Sequence, residues 1–486
     1  MNPETLYSWS AVLPPLVILI AAVISLVVDL FVRPGSRLVP WIAFFGLVAG
    51  FAASAALWGR SELAFSGFWN LSNYALFFDA LFCTAAGVVV LLSMTQEGHR
   101  GYFPGEYYIL LQFSVIGMMV MASANELITL IIGLETMSLP AYVLVGLNRG
   151  DRRATEGALK YFLLGAFATA FLVYGTALLY GAAATTRFGD LALFLNMHPG
   201  SPGTLLHAGA GLLLVGLGFK IASVPFHMWA PDAYQAAPTP ITAFMATAMK
   251  AAGLAAVLRI FGILFAEHAP ALKQALWVLA LASMIVGNLA AVVQANLKRM
   301  LAYSSIAHVG YILTAVVASQ PSASPMGGVS VFFYVVAYAL MTLGAFAVLV
   351  VAGGGTDRRE TLPDLAGFAG KHPTLALAMA IFMISLSGIP PTAGFFGKFY
   401  AFGAAVQSGY IGLAVVGVLT SVVGVFYYLR VVVYMYMKSA EKSFQAGPRP
   451  LYADATVLLL AAAVAFVGLF PQNLLQLARA AFASLF

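Results

Sequence analysis

The sequence predicts an all-α integral membrane protein of about fourteen transmembrane helices, and three observations lead there. Of its 486 residues 62% are hydrophobic and only 9% charged, far from the roughly half apolar and quarter charged usage of soluble domains. The apolar residues fall into runs long enough to cross a bilayer, which takes about 20 residues each. These runs are apolar on every face, as in VFFYVVAYALMTLGAFAVLVVAG, whereas the strands of a membrane barrel alternate over about ten residues.

The first run follows MNPETLYSWS, which has no basic leader, and is long enough to span, so it is expected to be kept rather than cleaved. Spans centre near residues 21, 48, 85, 115, 136, 170, 215, 252, 283, 309, 340, 388, 424 and 463. Short loops marked by Pro, Gly and charge separate them, among them RPGSR, RGDRRATEG, NMHPGSPG and GGGTDRRETLPD. Residues 1–486 therefore read as one polytopic domain.

Two spans depart from plain helix. In the seventh, GFKIASVPFHMW, Lys220 precedes Pro225; in the twelfth, SLSGIPPTAGFFGKF, Lys398 follows Pro391. Helix breaks at membrane depth survive where freed backbone groups are buried in protein or line a hydrated cavity. Cation then break, and break then cation, is the order that two inverted five-helix repeats would give, over 107–265 and 272–438. Chance alone also places two such helices in a chain with 23 prolines.

Most Lys and Arg lie in the loops after odd-numbered spans, for example Arg33, Arg37, Arg152, Arg153, Lys298 and Arg299; the even loops and termini hold only Arg60, Arg187, Lys273 and Arg479. By the positive-inside bias the odd loops face the cytoplasm and both termini lie outside. The net charge of +6 thus reports topology. It does not report nucleic acid, since no basic patch with interleaved aromatics occurs. The single Cys83 excludes internal disulfides and thiolate-ligated clusters.

Six basic residues remain inside spans: Lys160, Lys220, Lys250, Lys398, Arg259 and Arg430. Arg259 and Arg430 sit near span ends and read as snorkelling, a reading that Lys160 also admits. Lys250 lies near mid-membrane, where insertion scales charge about 2.5–3.5 kcal/mol. Lys220 and Lys398 lie beside breaks that offer carbonyls and water. Glu135 is the one carboxylate well inside a span, with Ser138 and Pro140 on the following turn; Glu126, Asp29 and Asp79 lie towards span ends. A buried glutamate and a lysine in one bundle argue for a pair, here Glu135 with Lys220. His227 and His308 read either as hydrogen-bonded core histidines or as proton-relay links. Nothing marks a bis-histidine haem site, and no nucleotide or metal motif occurs. The chain itself is expected to bind no cofactor.

The strings LETMSLPAYVLVG, TEGALKYFLLGA, GFKIASVPFHMWAPDAYQAAPTPITAFMATAMKAA, QANLKRMLAYSSIAHVGYIL and LSGIPPTAGFFGKFYAF, in this order, resemble the antiporter-like membrane subunits of respiratory complex I over about residues 10 to 480. YQAAPTP departs from a common family glycine, a small-for-small change. One sister type of the family carries a glutamate where Lys398 stands, and another a long C-terminal lateral helix; this chain has neither.

That resemblance implies fourteen helices, two inverted five-helix repeats, broken seventh and twelfth spans and a row of buried charges at mid-membrane. It implies that Glu135 and Lys220 form the switching pair, that Lys250 is the central relay and Lys398 the exit-side donor. Lys160 matches a further lysine near the glutamate, and His227 and His308 match positions proposed to bridge the half-channels. FMN, iron–sulfur clusters and quinone are then expected in partner subunits of a bacterial inner-membrane complex. A cation/proton antiporter subunit of Mrp type shares most of these motifs, a structural spacer would leave Lys250 unexplained, and a ferredoxin-fed photosynthetic counterpart differs only in its partners.

Physically, such a pair suffices once its separation is joined by a change of hydration. Two charges about 4 Å apart attract by roughly 4 kcal/mol at an effective dielectric near 20, and by about half that at roughly 8 Å. Crossing a potential of roughly 150–200 mV costs about 3.5–4.6 kcal/mol per charge, so separation needs a change of hydration as well.

Overall fold

A computed structural model describes residues 8–33, 36–95, 104–148, 150–198, 203–266, 269–319, 325–353, 360–439 and 450–485. In chain order the helices are α1 Leu13–Asp29, α2 Leu38–Ala56, α3 Asn73–Ser93, α4 Pro104–Ser123, α5 Leu127–Val145, α6 Arg152–Ala183, α7 Phe188–Met197, α8 Thr204–Ile221 and α9 Trp229–Ala236. They continue as α10 Thr239–Leu264, α11 Pro270–Val292, α12 Leu297–Val317, α13 Met326–Ala352, α14 Pro373–Ser387, α15 Ala393–Gln407, α16 Ile411–Met437, α17 Leu451–Leu469 and α18 Pro471–Ala483.

Among the described residues 13 helices are long and apolar enough to cross a membrane. They match the expected spans in order except the twelfth, which is divided into α14 and α15, each too short alone. Burial separates an inner from an outer set. The α10 span is wholly buried, and α12 and α13 are 94% and 89% buried, whereas α2 and α16 are 33% buried and turn apolar faces outward. A helix apolar all round is one enclosed by others or by lipid. Three elements lay outside the sequence expectation. A hairpin of two three-residue strands pairs Glu62 with Leu71 and Ala64 with Trp69, and α7 and α18 are short helices beyond the spans.

Both expected breaks are present and end their first helix alike. After α8, Ala222 takes φ +57° and Ser223 N donates to Gly218 O at 2.9 Å. After α14, Gly388 takes φ +83° and Ile389 N donates to Ile384 O at 3.3 Å. This is the left-handed cap that satisfies orphan carbonyls at a helix end. The cis bonds Val224–Pro225 and Pro390–Pro391 follow.

A second correspondence ties loops. Leu127 N donates to Thr186 O (3.0 Å) and Phe188 N to Asn125 O (3.1 Å), while Leu297 N donates to Glu360 O (2.6 Å) and Leu362 N to Ala295 O (3.1 Å). The arginines fall into the same scheme. Arg259 on α10 donates to Ala122 O (3.3 Å) in the last turn of α4 and to Asn125 Oδ1 (3.2 Å) just past its end. Arg430 on α16 donates to Val292 O (2.9 Å) and Gln294 O (2.7 Å), at the end of α11. Snorkelling therefore does not describe either. Arg259 is only 8% exposed, and both guanidinium groups are used on helix C-termini, where cations are favoured. Gly117 and Gly287 seat α4 on α5 and α11 on α12, since a Cβ at either would strike the backbone nitrogen of Met137 or Ala307.

Candidate functional site

The three mid-span lysines are buried, at 5%, 1% and 6% exposure for Lys220, Lys250 and Lys398. A buried ammonium costs several kcal/mol unless its protons are taken up. Here oxygens and aromatic faces take them up. Among the described residues the ion pairs join Lys160, Lys298 and Arg299 to Glu156, Asp232 and Glu360, and none includes these three lysines.

Lys220 leaves the last turn of α8 and donates to Ser138 Oγ on α5 at 2.5 Å. Its Nζ also lies 5.8 Å from the ring centroids of Tyr142 and Tyr161, within cation–π range. Ser138 in turn donates to Leu134 O one turn back. The expected Glu135–Lys220 pair is therefore not a direct contact. Glu135 accepts from Thr169 Oγ1 of α6 at 2.5 Å, and residues three apart on a helix are neighbours on one face, so Ser138 places Lys220 one turn from the carboxylate.

Lys250 sits where α10 resumes α-helical bonding after a π-type stretch at Met245–Met249. Its Nζ donates to Ser305 Oγ of α12 at 2.5 Å and lies 5.6 Å from the Tyr234 centroid. Lys220 packs against this same helix, since a Cβ on Gly253 would lie 3.7 Å from Lys220 Cγ. Lys398 turns back across its break. It donates to Leu386 O (3.1 Å) and Ser387 O (2.9 Å), the last carbonyls of α14, and to Ser421 Oγ of α16 (2.6 Å). A cavity of about 670 Å³ opens beside it, lined by apolar side chains including Phe395, Phe399 and Val422.

One face of α12 joins Lys250 to Lys398. Ser305 receives Lys250, Tyr311 lies under Lys398 at 5.1 Å, and His308 stands between them. At about 1.5 Å rise per residue the three positions span roughly 9 Å. His308 is caged: Nδ1 lies 2.9 Å from Tyr334 Oη and Nε2 3.1 Å from Tyr428 Oη, and Tyr428 Oη bonds on to Ser304 Oγ. With a phenol at each nitrogen, a proton gained on one side is matched by one released on the other.

The remaining expectations land elsewhere. His227 lies in the first break, with its Nδ1 buried and without a hydrogen-bond partner, and it makes no hydrogen bond to the lysine row. Among the described residues no ion pair joins Lys160 to Glu135. Lys160 pairs with Glu156 (2.7 Å) and Asp232 (3.1 Å) at 46% exposure. Asp79, towards a span end by sequence, is 2% exposed. Sequence reasoning missed Thr169, Ser305, Ser421 and the tyrosines at 234, 311, 334 and 428, because hydroxyls are ordinary inside apolar spans and carry no charge signal.

The family described as NADH:quinone oxidoreductase/Mrp antiporter, TM, matches residues 124–424. The NADH-quinone oxidoreductase subunit N of Trichlorobacter lovleyi is 44% identical over 474 residues, 97% of this chain and 96% of that protein. A chain of respiratory complex I from Thermus thermophilus with bound aureothin superposes with a TM-score of 0.82 at 36% identity, covering 95% of this chain and 98% of that one. A chain of the Mrp complex from Dietzia sp. superposes with a TM-score of 0.87 at 21% identity, covering 100% and 98%, a likeness of fold alone.

Proposed function

The chain belongs to the NADH:quinone oxidoreductase/Mrp antiporter transmembrane family, and from that premise we propose that it is a proton-translocating membrane subunit of an NADH:quinone oxidoreductase. Electron transfer to quinone takes place in other subunits, which hold the FMN and iron–sulfur clusters and include sister antiporter-like chains. The chain lies in a bacterial inner membrane with both termini on the periplasmic side, as the Lys and Arg bias of its loops favours.

The observation that carries this reading is the α12 face with Ser305, His308 and Tyr311 in line between two buried lysines. Lys220, held by one hydroxyl and two rings, is poised to exchange Ser138 for the Glu135 carboxylate one turn away. A proton loaded on Lys220 passes to Lys250, then through Ser305 and the caged His308 to Lys398. His227 and Lys160 stand beside this path, His227 in the break itself. The matched caps at the two breaks, and the matched loop bonds of 125–127 to 186–188 and of 295–297 to 360–362, support reading 107–265 and 272–438 as inverted repeats.

The test uses the assembled complex in vesicles. Lys220→Ala and Glu135→Ala are each expected to lose most proton pumping per NADH oxidised, and full NADH oxidation with full pumping by either would sink the relay. Lys250→Met separates the relay from a mere spacer, for which that change is silent. Sodium-dependent exchange without NADH oxidation would point instead to an Mrp-type antiporter.

A further inference from the structure

Away from the lysine row, a polar cavity of about 340 Å³ opens between α6 and α9, lined by Arg153, Glu156, Lys160, Asp232 and Gln235. Asp232 draws three helices together there. Its Oδ1 accepts from Arg299 Nη1 of α12 at 2.6 Å and its Oδ2 from Lys160 Nζ of α6 at 3.1 Å, and Lys160 also holds Glu156 at 2.7 Å. Neither the relay nor the helix breaks require this arrangement.

What lies behind the cavity gives it a use. Tyr161 follows Lys160 in sequence and is buried; its ring stacks on Trp229 with centroids 4.4 Å apart and planes at 12°. Lys220 Nζ stands 5.8 Å from the centroid of the same Tyr161 ring. Trp229 and Asp232 are three residues apart on α9, hence on one face. That helix is eight residues long, bounded by the break on one side and Pro238 on the other. Two turns of helix this short move as a body, so Asp232 acts on the Trp229 ring together with the ring's own bond, Nε1 donating to Phe219 O at 3.0 Å. The far end is pinned too, as Lys298 Nζ donates to Ala237 O at 2.8 Å.

We propose that Asp232 is a positioning residue whose ion pairs to Lys160 and Arg299 keep the Tyr161–Trp229 stack closed between this cavity and Lys220, forming the gate through which protons from the aqueous side load the relay. The proposal rests on the relay reading above. The latch suits a gate because it is partly wet: the side chains of Asp232 and Lys160 are 31% and 46% exposed, and exposed pairs weaken with water and salt. Releasing Asp232 lets α9 pivot about the end pinned by Lys298, the Trp229 bond to Phe219 O yields, the stack parts, and water reaches Lys220.

The experiment reconstitutes the whole complex in liposomes and follows the proton gradient during NADH oxidation and its decay after NADH is exhausted. Asp232→Asn is expected to hasten the decay about fivefold, the low end of typical coupling between two states, and to lower the gradient reached per NADH. Asp232→Glu should restore both. The wild-type decay should quicken with salt while that of Asp232→Asn stays high at all salt, a signature that a merely structural role does not give. Adding Lys220→Ala to Asp232→Asn should abolish the leak.

An assembled Asp232→Asn complex with unchanged gradient and decay overturns the gate. Should that variant fail to assemble, Lys160→Met removes one arm, and an unchanged decay there overturns it equally. If Lys220→Ala pumps normally, the relay reading falls; if Lys220→Ala is inactive and Asp232→Asn is silent, only the gate falls.

Discussion

The two broken spans use one backbone device to hold a lysine in opposite ways. Lys398, after its break, folds back onto the carbonyls of Leu386 and Ser387 and onto Ser421. It thereby satisfies all three ammonium protons and sits at a helix C-terminus, where a cation is favoured. Lys220, before its break, points sideways and has one hydrogen bond, to Ser138, with two aromatic rings around it. The second lysine is anchored by the fold and the first is held loosely. Mobility therefore belongs to the Glu135 end of the row, and the Lys398 end is the fixed terminus.

The largest effect that would break this comparison is on assembly. Lys398→Met leaves two helix-end carbonyls without their charged donor, and bonds to charged groups contribute about 1.5–3 kcal/mol each. A marked fall in yield and thermal stability of the complex is expected. Lys220→Met abandons one hydroxyl, so it should assemble normally and lose pumping. Equal yields on native gels would show that the two lysines are not held differently.

The next contrast is at the caps. A Cβ on Gly388 would stand 2.8 Å from Lys398 Cδ and 3.0 Å from its Nζ, at φ +83°. An L-residue in that region costs about 1–2 kcal/mol, to which displacement of Lys398 adds. Gly388→Ala should therefore lower the thermal midpoint and pumping together. Ala222 already bears a side chain at φ +57°. Ala222→Gly removes that strain, with an expected change within about 1 kcal/mol of wild type. Comparable damage from both would remove the link between the second cap and its lysine.

What the sequence disclosed about these two sites, and what it withheld, follows from how each is built. Pro225 and Pro391 interrupt apolar runs, and a lysine in such a run is conspicuous by itself; breaks and cations are thus visible one residue at a time. Their partners are not. Whether Lys220 meets Ser138 or Glu135 depends on how α8 approaches α5, and both lie on the same face of α5, one turn apart. Arg259 and Arg430 look alike in sequence to snorkelling residues, because the helix ends they cap belong to spans more than a hundred residues away. Asp232 sits in WAPDAYQAA, where nothing nearby announces that Lys160 and Arg299 converge on it.

The smallest expected effect is the most discriminating for the mobile end. Ser138→Ala and Ser421→Ala each delete one hydroxyl that accepts from a lysine, at 2.5 and 2.6 Å. A hydrogen bond contributes a net of about 0.5–1.5 kcal/mol, and that figure applies only where no other acceptor takes over. Lys398 retains Leu386 O and Ser387 O, so Ser421→Ala should change pumping by less than about twofold, below the low end of that range. Lys220 retains no oxygen at its present position and must turn to Glu135 or to water. Ser138→Ala should then shift the resting state towards the carboxylate and slow pumping about three- to tenfold, the kinetic equivalent of one lost bond. Measured as initial pumping rate per NADH in vesicles, equal responses would mean that Lys220 has an acceptor beyond Ser138, and the loosely held lysine would be no looser than its counterpart.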